Sequence, residues 1–177
     1  VNNLTDLLNE FLSLGKIEDG KISAHNQHFN LKELITALCS EMEGIAKSNQ
    51  QFSYEHTGQE LINSDPALLR NVITNLLSNA IKFSAPGTVI EVGSKVSEDS
   101  IVLTVKDHGM GISAEDQQHL FERFFRGDNV TNIQGTGLGL HIVSRYIEIL
   151  DGEIEFESEL EQGTKFIITL KREITES

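Results

Sequence analysis

Cysteine is almost missing from this chain: Cys39 is the only one among 177 residues. It cannot pair within the chain and has no second thiol with which to build a metal cluster. A disulfide scaffold is excluded, and a reducing compartment such as the cytoplasm is expected. No apolar run approaches the roughly 20 residues of a membrane-spanning helix, and no signal-peptide pattern opens the chain. Basic residues are scarce, with 14 Lys and Arg against 27 Asp and Glu, a formal net charge of −13. A field of that sign repels the phosphates of nucleic acid and of anionic lipid. Nucleic acid is therefore not an expected partner. Any phosphate that binds must be held locally, by a metal ion, by backbone N–H groups or by a few placed cations. Internal repeats and low-complexity tracts are absent as well. An opening Met is missing, and Val1 begins inside what reads as a helix. The expectation is a piece of a longer protein, whose parent could itself be membrane-bound.

What remains describes a globular protein, 38% hydrophobic and 23% charged. A chain of this size buries roughly 70% of its unfolded surface and needs no staples. Leu4, Leu7, Leu8, Phe11 and Leu12 form one helical stripe over residues 1–15. Such a helix is too short to stand alone in water, and it either packs on the domain or pairs with another chain. The turn at Glu18–Lys21 closes it. A strand is predicted at Ile22–Phe29. A helix follows over Leu31–Ser48, capped by Asn30, with Leu31, Leu34, Ile35, Leu38, Met42 and Ile45 on its apolar side. Short strands at Gln51–His56 and Leu61–Ile62 come next.

Asp65-Pro66 marks a strong helix start, an N-cap acid before a proline at the first helical position. That helix runs to Phe83 with Leu68, Leu69, Val72, Ile73, Leu76, Leu77, Ala80 and Ile81 as its buried stripe. Val89–Val96 and Ile101–Asp107 read as an antiparallel hairpin, residues 114–125 as a helix, and residues 126–137 as a loop without periodicity. Leu138–Leu150 reads as a helix ending at Gly152, and Glu153–Ser158 with Thr164–Lys171 as a closing hairpin. The fold class is α+β: a two-layer sandwich in which three helices cover one face of a mixed, mostly antiparallel sheet.

Four clusters carry chemistry. On the helix of residues 65–83, Asn71, Asn75, Asn79 and Lys82 recur on one face, opposite the leucines. Asparagine is a mediocre helix former. A row of three suits amide ligation of Mg²⁺, which keeps phosphate and water oxygens, and Lys82 suits a phosphate. A solvated helix face would give the same spacing. Asp107-His108-Gly109-Met110-Gly111-Ile112 closes a strand. Its carboxylate can accept from the exocyclic amine of adenine, where guanine would present a repelled oxygen. Its glycines permit close backbone approach, although Asp-x-Gly is also a common turn. In Phe121-Glu122-Arg123-Phe124-Phe125-Arg126, core packing explains the phenylalanines as well as ligand contact does, and the two arginines are phosphate-seeking groups. Gly135-Thr136-Gly137-Leu138-Gly139-Leu140 leads into a helix whose free N–H groups favour an anion. It lacks the Gly-Lys-Ser/Thr ending of a P-loop and does not follow a strand, as a Rossmann fingerprint would.

Taken in order, these pieces resemble the GHKL ATP-binding fold. Asn75–Lys82 resembles its N-box, Asp107–Ile112 its G1 box, Phe121–Arg126 its F-box, Gly135–Leu140 its G2 box, and Glu161-Gln162-Gly163-Thr164-Lys165-Phe166 its final Gly-Thr box. The F-box points to the sensor histidine kinase branch. So does Asn9–Lys21, which looks like the end of a dimerisation and histidine-phosphotransfer hairpin. The resemblance divides the chain into residues 1–21, hairpin end and linker, and residues 22–177, the catalytic ATP-binding domain.

It implies ATP and Mg²⁺ as cofactors, with Asn79 on the metal, Asn75 and Lys82 near the phosphates, and Asp107 on adenine. Arg126 and the Gly137–Gly139 backbone, Leu138 included, would hold the phosphate tail, and Gly135, Thr136 and Leu140 beside it join the nucleotide-binding residues. Phe83, Gly109, Gly111, Ile112, Phe121 and Thr164 complete the implied nucleotide set, and Asn75, Lys82 and Arg126 the catalytic one. Phe83 stands where a tyrosine is common in the family. Gyrase-type and mismatch-repair ATPases carry a glutamate where this chain has Asn75, and an amide cannot act as general base on water. The implied reaction is therefore phosphoryl transfer to a histidine on an upstream helix. The implied partners are that hairpin, a second copy in a homodimeric parent, and a response regulator receiver domain. None of the six histidines sits in a phosphoacceptor box. A hydrolase on the same fold and a non-catalytic scaffold are the competing readings, with a serine kinase on the same fold as a minor one.

Overall fold

Eight apolar side chains at helical spacing are buried only if one long helix lays them on a partner surface. The computed structural model describes Leu12, residues 23–121 and residues 139–172. Its elements are β1 (Gln27–Asn30), α1 (Leu31–Glu43), β2 (Gln51–Gly58), β3 (Leu61–Ser64), α2 (Pro66–Phe83), β4 (Val89–Val96), β5 (Ser100–Lys106), α3 (Ala114–Gln117), α4 (Gly139–Ile149), β6 (Gly152–Glu159) and β7 (Gly163–Lys171). All eight residues of the α2 stripe are buried. Each contributes roughly 1.5–3 kcal/mol when it is a full-sized aliphatic. The asparagines on the opposite side cost at most about 0.7 kcal/mol each relative to alanine, so packing decides that this segment is helical.

A five-stranded sheet, ordered β2-β4-β5-β7-β6, underlies the helices. β2 and β4 run parallel and every other pairing is antiparallel. The registers place Tyr54, Val92, Val105, Phe166 and Phe156 in one row and Ser94, Leu103, Ile168 and Ile154 in the next. These rows face α1, α2 and α4 and form the core with their stripes. The other face bears Lys95, Thr104, Lys106, Lys165 and Thr169, and on β6, unpaired on its outer side among the described residues, the exposed Glu153, Glu155, Glu157 and Glu159. The expected two-layer architecture is therefore present. Among the described residues no helix is long and apolar enough to cross a membrane.

Four expectations need correction. α1 stops at Glu43, not Ser48, because Gly44 caps it and the chain turns, so Ile45 is 60% exposed and not on the apolar stripe. The first strand covers only Gln27–Asn30, not residues 22–29, and with β3 it forms a separate two-stranded antiparallel sheet. β3 itself extends to Ser64. The helix predicted from residue 114 is a single turn, Ala114–Gln117, capped by the Ser113 hydroxyl and followed by turns. Its acidic first turn favours the start, but residues 118–120 bring only Leu120 into the core. The readings of residues 1–11 and 13–22, of the loop at 126–137, and of Arg126, Gly135, Thr136, Gly137 and Leu138 lie outside the described residues.

Candidate functional site

The polar face of α2 is the base of the site. Asn71 is exposed, Asn75 and Asn79 are half-buried, and Lys82 is exposed one turn further on. Asn75 Nδ2 donates to the Asn71 carbonyl at 2.9 Å and to Asn71 Oδ1 at 3.3 Å. This fixes the amide so that Oδ1 is the outward atom. A Cβ added to Gly139, the first residue of α4, would lie 3.3 Å from that Oδ1. The N-box asparagine and the described end of the G2 box are thus neighbours. The side chains of Asn79 and Lys82 make no hydrogen bond or ion pair among the described residues.

The last turn of α2 is held by residues that sequence reasoning missed. Lys47 Nζ donates to the carbonyls of Lys82 and Ser84 at 2.9 and 2.7 Å. Gln50, 7% exposed, donates to the carbonyls of Ile81 and Ser84, both at 3.2 Å, and of Ala85 at 3.4 Å. A helix C-terminus leaves orphan carbonyls and a negative dipole end, and an ammonium and an amide answer both. The partners lie 31 to 37 residues away, so no local pattern announces them.

The Asp107–Ile112 loop docks on that end. Met110 N donates to the Phe83 carbonyl at 3.3 Å. At Gly109 a Cβ would meet that same carbonyl oxygen at 2.1 Å, and at Gly111, where φ is +70°, it would meet the Glu159 carbonyl at 2.0 Å. Both glycines are therefore required by protein backbone packed on them. Gly163, with φ +117°, approaches the Asp107 carbonyl in the same way.

Asp107 is buried at the end of β5. Its Oδ1 accepts from Gly109 N at 3.0 Å and Thr164 N at 3.2 Å. Oδ2 makes no hydrogen bond among the described residues. It still touches solvent, since the Ser84 hydroxyl is the only wholly buried side-chain atom there without a partner. Burial pushes the Asp107 carboxyl above its ordinary range, opposed by the two backbone N–H bonds and by His108. His108 itself points outward and pairs with Glu91 at 2.8 Å.

Around this carboxylate a small network fixes the loop. Ser158 Oγ accepts from Ile112 N at 2.8 Å, donates to the Gly163 carbonyl at 3.1 Å, and lies 2.8 Å from the Thr164 hydroxyl. Gln117 Nε2 donates to the carbonyls of Ile112 and Ser158. Ser158 had a signal: it is a polar residue at an inward position of β6, after Ile154 and Phe156. Phe121 packs edge-on against Phe156, with ring centroids 5.7 Å apart, and against Phe166 at 6.5 Å. His141 Nδ1 donates to the Phe121 carbonyl at 3.2 Å, which ties the F-box to the first turn of α4 beside Gly139 and Leu140. Asn75, Asn79, Lys82, Phe83, Gly109, Gly111, Ile112 and Thr164 thus gather about the end of α2 and the end of β5. Phe121 belongs to the aromatic packing behind them.

Residues 64–174 match the family described as histidine kinase-, DNA gyrase B-, and HSP90-like ATPase. Among curated proteins, the chain is 37% identical over 180 residues to the sensor protein GacS of Pseudomonas syringae pv. syringae, covering 96% of this chain and 20% of that protein. It is 34% identical over 179 residues to the sensor protein EvgS of Escherichia coli O157:H7, covering 97% and 15%. It spans about a fifth or less of the length of these relatives. Among solved structures, the catalytic domain of the histidine kinase ThkA, in a nucleotide-free form, superposes with a TM-score of 0.72 at 30% identity, covering 84% of this chain and 96% of that one. The match to the family model spans the site from the Asp65 cap of α2 to Thr164, and the chain belongs to the histidine kinase-, DNA gyrase B-, and HSP90-like ATPase family, as an ATP-binding catalytic domain of the sensor histidine kinase type.

Proposed function

We propose that the chain holds Mg-ATP between the polar face of α2 and the Asp107–Ile112 loop, for transfer of the γ-phosphoryl group to a histidine on a hairpin of the longer parent protein. The observation that carries this reading is the pair of uncommitted groups on α2. The Asn79 amide and the Lys82 ammonium have no partner among the described residues, while Asn75 is oriented by Asn71 and lies against Gly139. An amide oxygen and an ammonium fit a magnesium ion and phosphate oxygens respectively. Asn79 is assigned to the metal, and Asn75 and Lys82 to the phosphates. The open Oδ2 of Asp107 fits an exocyclic amine, and Phe83, Gly109, Gly111, Ile112 and Thr164 would border the base. Arg126 and the Gly137–Gly139 backbone are assigned to the phosphate tail.

Magnesium would supply charge neutralisation on the triphosphate. The protein's own contribution is positioning and electrostatic stabilisation, because histidine imidazole is already a nucleophile. Asn75 offers no base for water. Residues 1–21 are read as hairpin end and linker and residues 22–177 as the catalytic domain. The parent is read as a homodimer with the domain on the cytoplasmic side, passing its phosphoryl group to a response regulator receiver domain.

The test is to mix the chain with Mg-ATP and a fragment carrying the parent's hairpin. Acid-labile, base-stable label on one histidine is expected, with slow phosphate release by the chain alone. Steady phosphate release that Asn75→Ala abolishes would instead establish the hydrolase.

A further inference from the structure

A helix N-cap needs one acceptor oxygen, which is why serine, threonine and asparagine serve as well as aspartate. Asp65 uses two. Its Oδ1 accepts from Ala67 N at 2.9 Å and from Leu68 N at 3.1 Å, capping α2. Its Oδ2 accepts from His25 N at 2.8 Å, across 40 residues of sequence. The carboxylate is only 4% exposed. Only an ionised aspartate of this length gives both oxygens to N–H donors, because an asparagine would turn an NH₂ group toward one of them.

Little else holds the segment that leads into the domain. Ser23, His25, Asn26, Gln27 and His28 are exposed, and Ala24, Phe29 and Asn30 are half-buried. A cavity of about 160 Å³ lies beside Ala24 and Asn26, between Asn63, Ser64 and the end of α4 at Ile149 with the following Leu150. Beside the partial packing of Ala24 and Phe29 against the core, the segment is fastened by hydrogen bonds. Those are the β1–β3 ladder, Gln27↔Ser64 to Asn30↔Leu61, and the His25–Asp65 bond just beyond its end. The ladder delivers the chain to Asp65, and Asp65 starts the helix that bears Asn75, Asn79 and Lys82.

We propose that Asp65 is a positioning residue whose single carboxylate locks the entering segment, residues 23–30, to the first turn of the nucleotide-bearing helix, so that nucleotide binding at α2 and the order of that segment are coupled. Its consequence for catalysis rests on the phosphotransfer reading above. The phosphoacceptor hairpin would be attached through this segment, and the clamp would set where the hairpin meets α2.

Coupling is reciprocal, so it is measurable without any transfer. In the 177-residue chain, Mg-ATP is expected to slow amide exchange over residues 25–30 at least threefold. In Asp65→Asn, His25 exchange should rise at least tenfold, the Leu68 amide should stay within twofold, Mg-ATP affinity should fall by the factor of the slowing seen in the unsubstituted chain, and the response of residues 25–30 to nucleotide should vanish. His25→Pro removes the donor and leaves the cap intact, and it must also abolish the response at residues 27–30. No slowing in the unsubstituted chain, or a response that survives in either variant, overturns the proposal. In the full parent kinase both variants should lower transfer at least fivefold at saturating ATP, where the weaker nucleotide binding no longer counts. Unchanged transfer overturns the positioning role. An unsubstituted kinase that binds Mg-ATP and forms no phosphohistidine would sink only the phosphotransfer reading, and the exchange response would still decide the role of Asp65.

Discussion

Asp107 sits under two opposed demands. Its carboxyl is pushed above the ordinary range, first by burial and against the pull of the Gly109 and Thr164 N–H groups. A carboxyl whose folded pKa exceeds its unfolded one stabilises the fold fully below the unfolded value and loses that contribution as pH rises through the folded value. At neutral pH the ionised group is thus a cost to the fold. Asp107→Asn keeps an oxygen for both N–H donors, and so should be no less stable than the parent at pH 7 in urea titration. The same change should weaken ATP binding by about 1–3 kcal/mol, the scale of a hydrogen bond to a charged group, as read by calorimetry. In the parent chain ATP affinity should fall as pH drops through the raised pKa of Asp107, and that dependence should be missing from Asp107→Asn. Unchanged affinity in the variant would remove Asp107 from adenine recognition.

At the scale of elements, the end of α2 depends on contacts that arrive from far along the chain. Gln50→Ala leaves three carbonyls of residues 81–85 without their amide donor. It should cost about 1–3 kcal/mol in chemical denaturation, whereas an equal substitution at exposed Gln118 should be nearly silent. Gly109→Ala drives a Cβ into the Phe83 carbonyl. It should cost about 1–3 kcal/mol as an overpacked contact and loosen ATP binding, because the loop of Asp107 and the end of Lys82's helix would separate.

These contacts also mark what the sequence could tell. The α2 boundaries, the polar row opposite its leucines and the β4–β5 and β6–β7 hairpins were legible, because period and caps are local signals. The two-stranded β1–β3 sheet, the Lys47 and Gln50 caps and the Ser158 network were not, because each joins segments remote in the chain. Gly109 and Gly111 were singled out for their permissiveness, but the protein carbonyls packed against both come from Phe83 and Glu159 and gave no local signal. Ile45 followed the helical period past the residue where Gly44 ended the helix.

For the whole molecule, the net charge of −13 sets the terms on which a triphosphate can bind. Lys82 is one cation beside two neutral amides on α2, and with Arg126 assigned to the phosphate tail the rest of the neutralisation falls to the metal. Removing divalent ions with EDTA should weaken ATP binding at least tenfold by calorimetry, and adenosine, which carries no phosphate, should be indifferent to the chelator. Equal ATP affinity with and without magnesium would contradict the role given to Asn79.

The glutamates of β6 have a further effect. An unpaired strand is a template on which another molecule of the same kind can add itself, growing toward an insoluble aggregate. Glu153, Glu155, Glu157 and Glu159 stand along that border, so two such borders brought together repel before their backbones can join. Neutralising them in pairs to glutamine should leave nucleotide affinity intact and raise light scattering at high concentration. The acidity that makes phosphate unwelcome over most of the surface is also what keeps crowded copies apart.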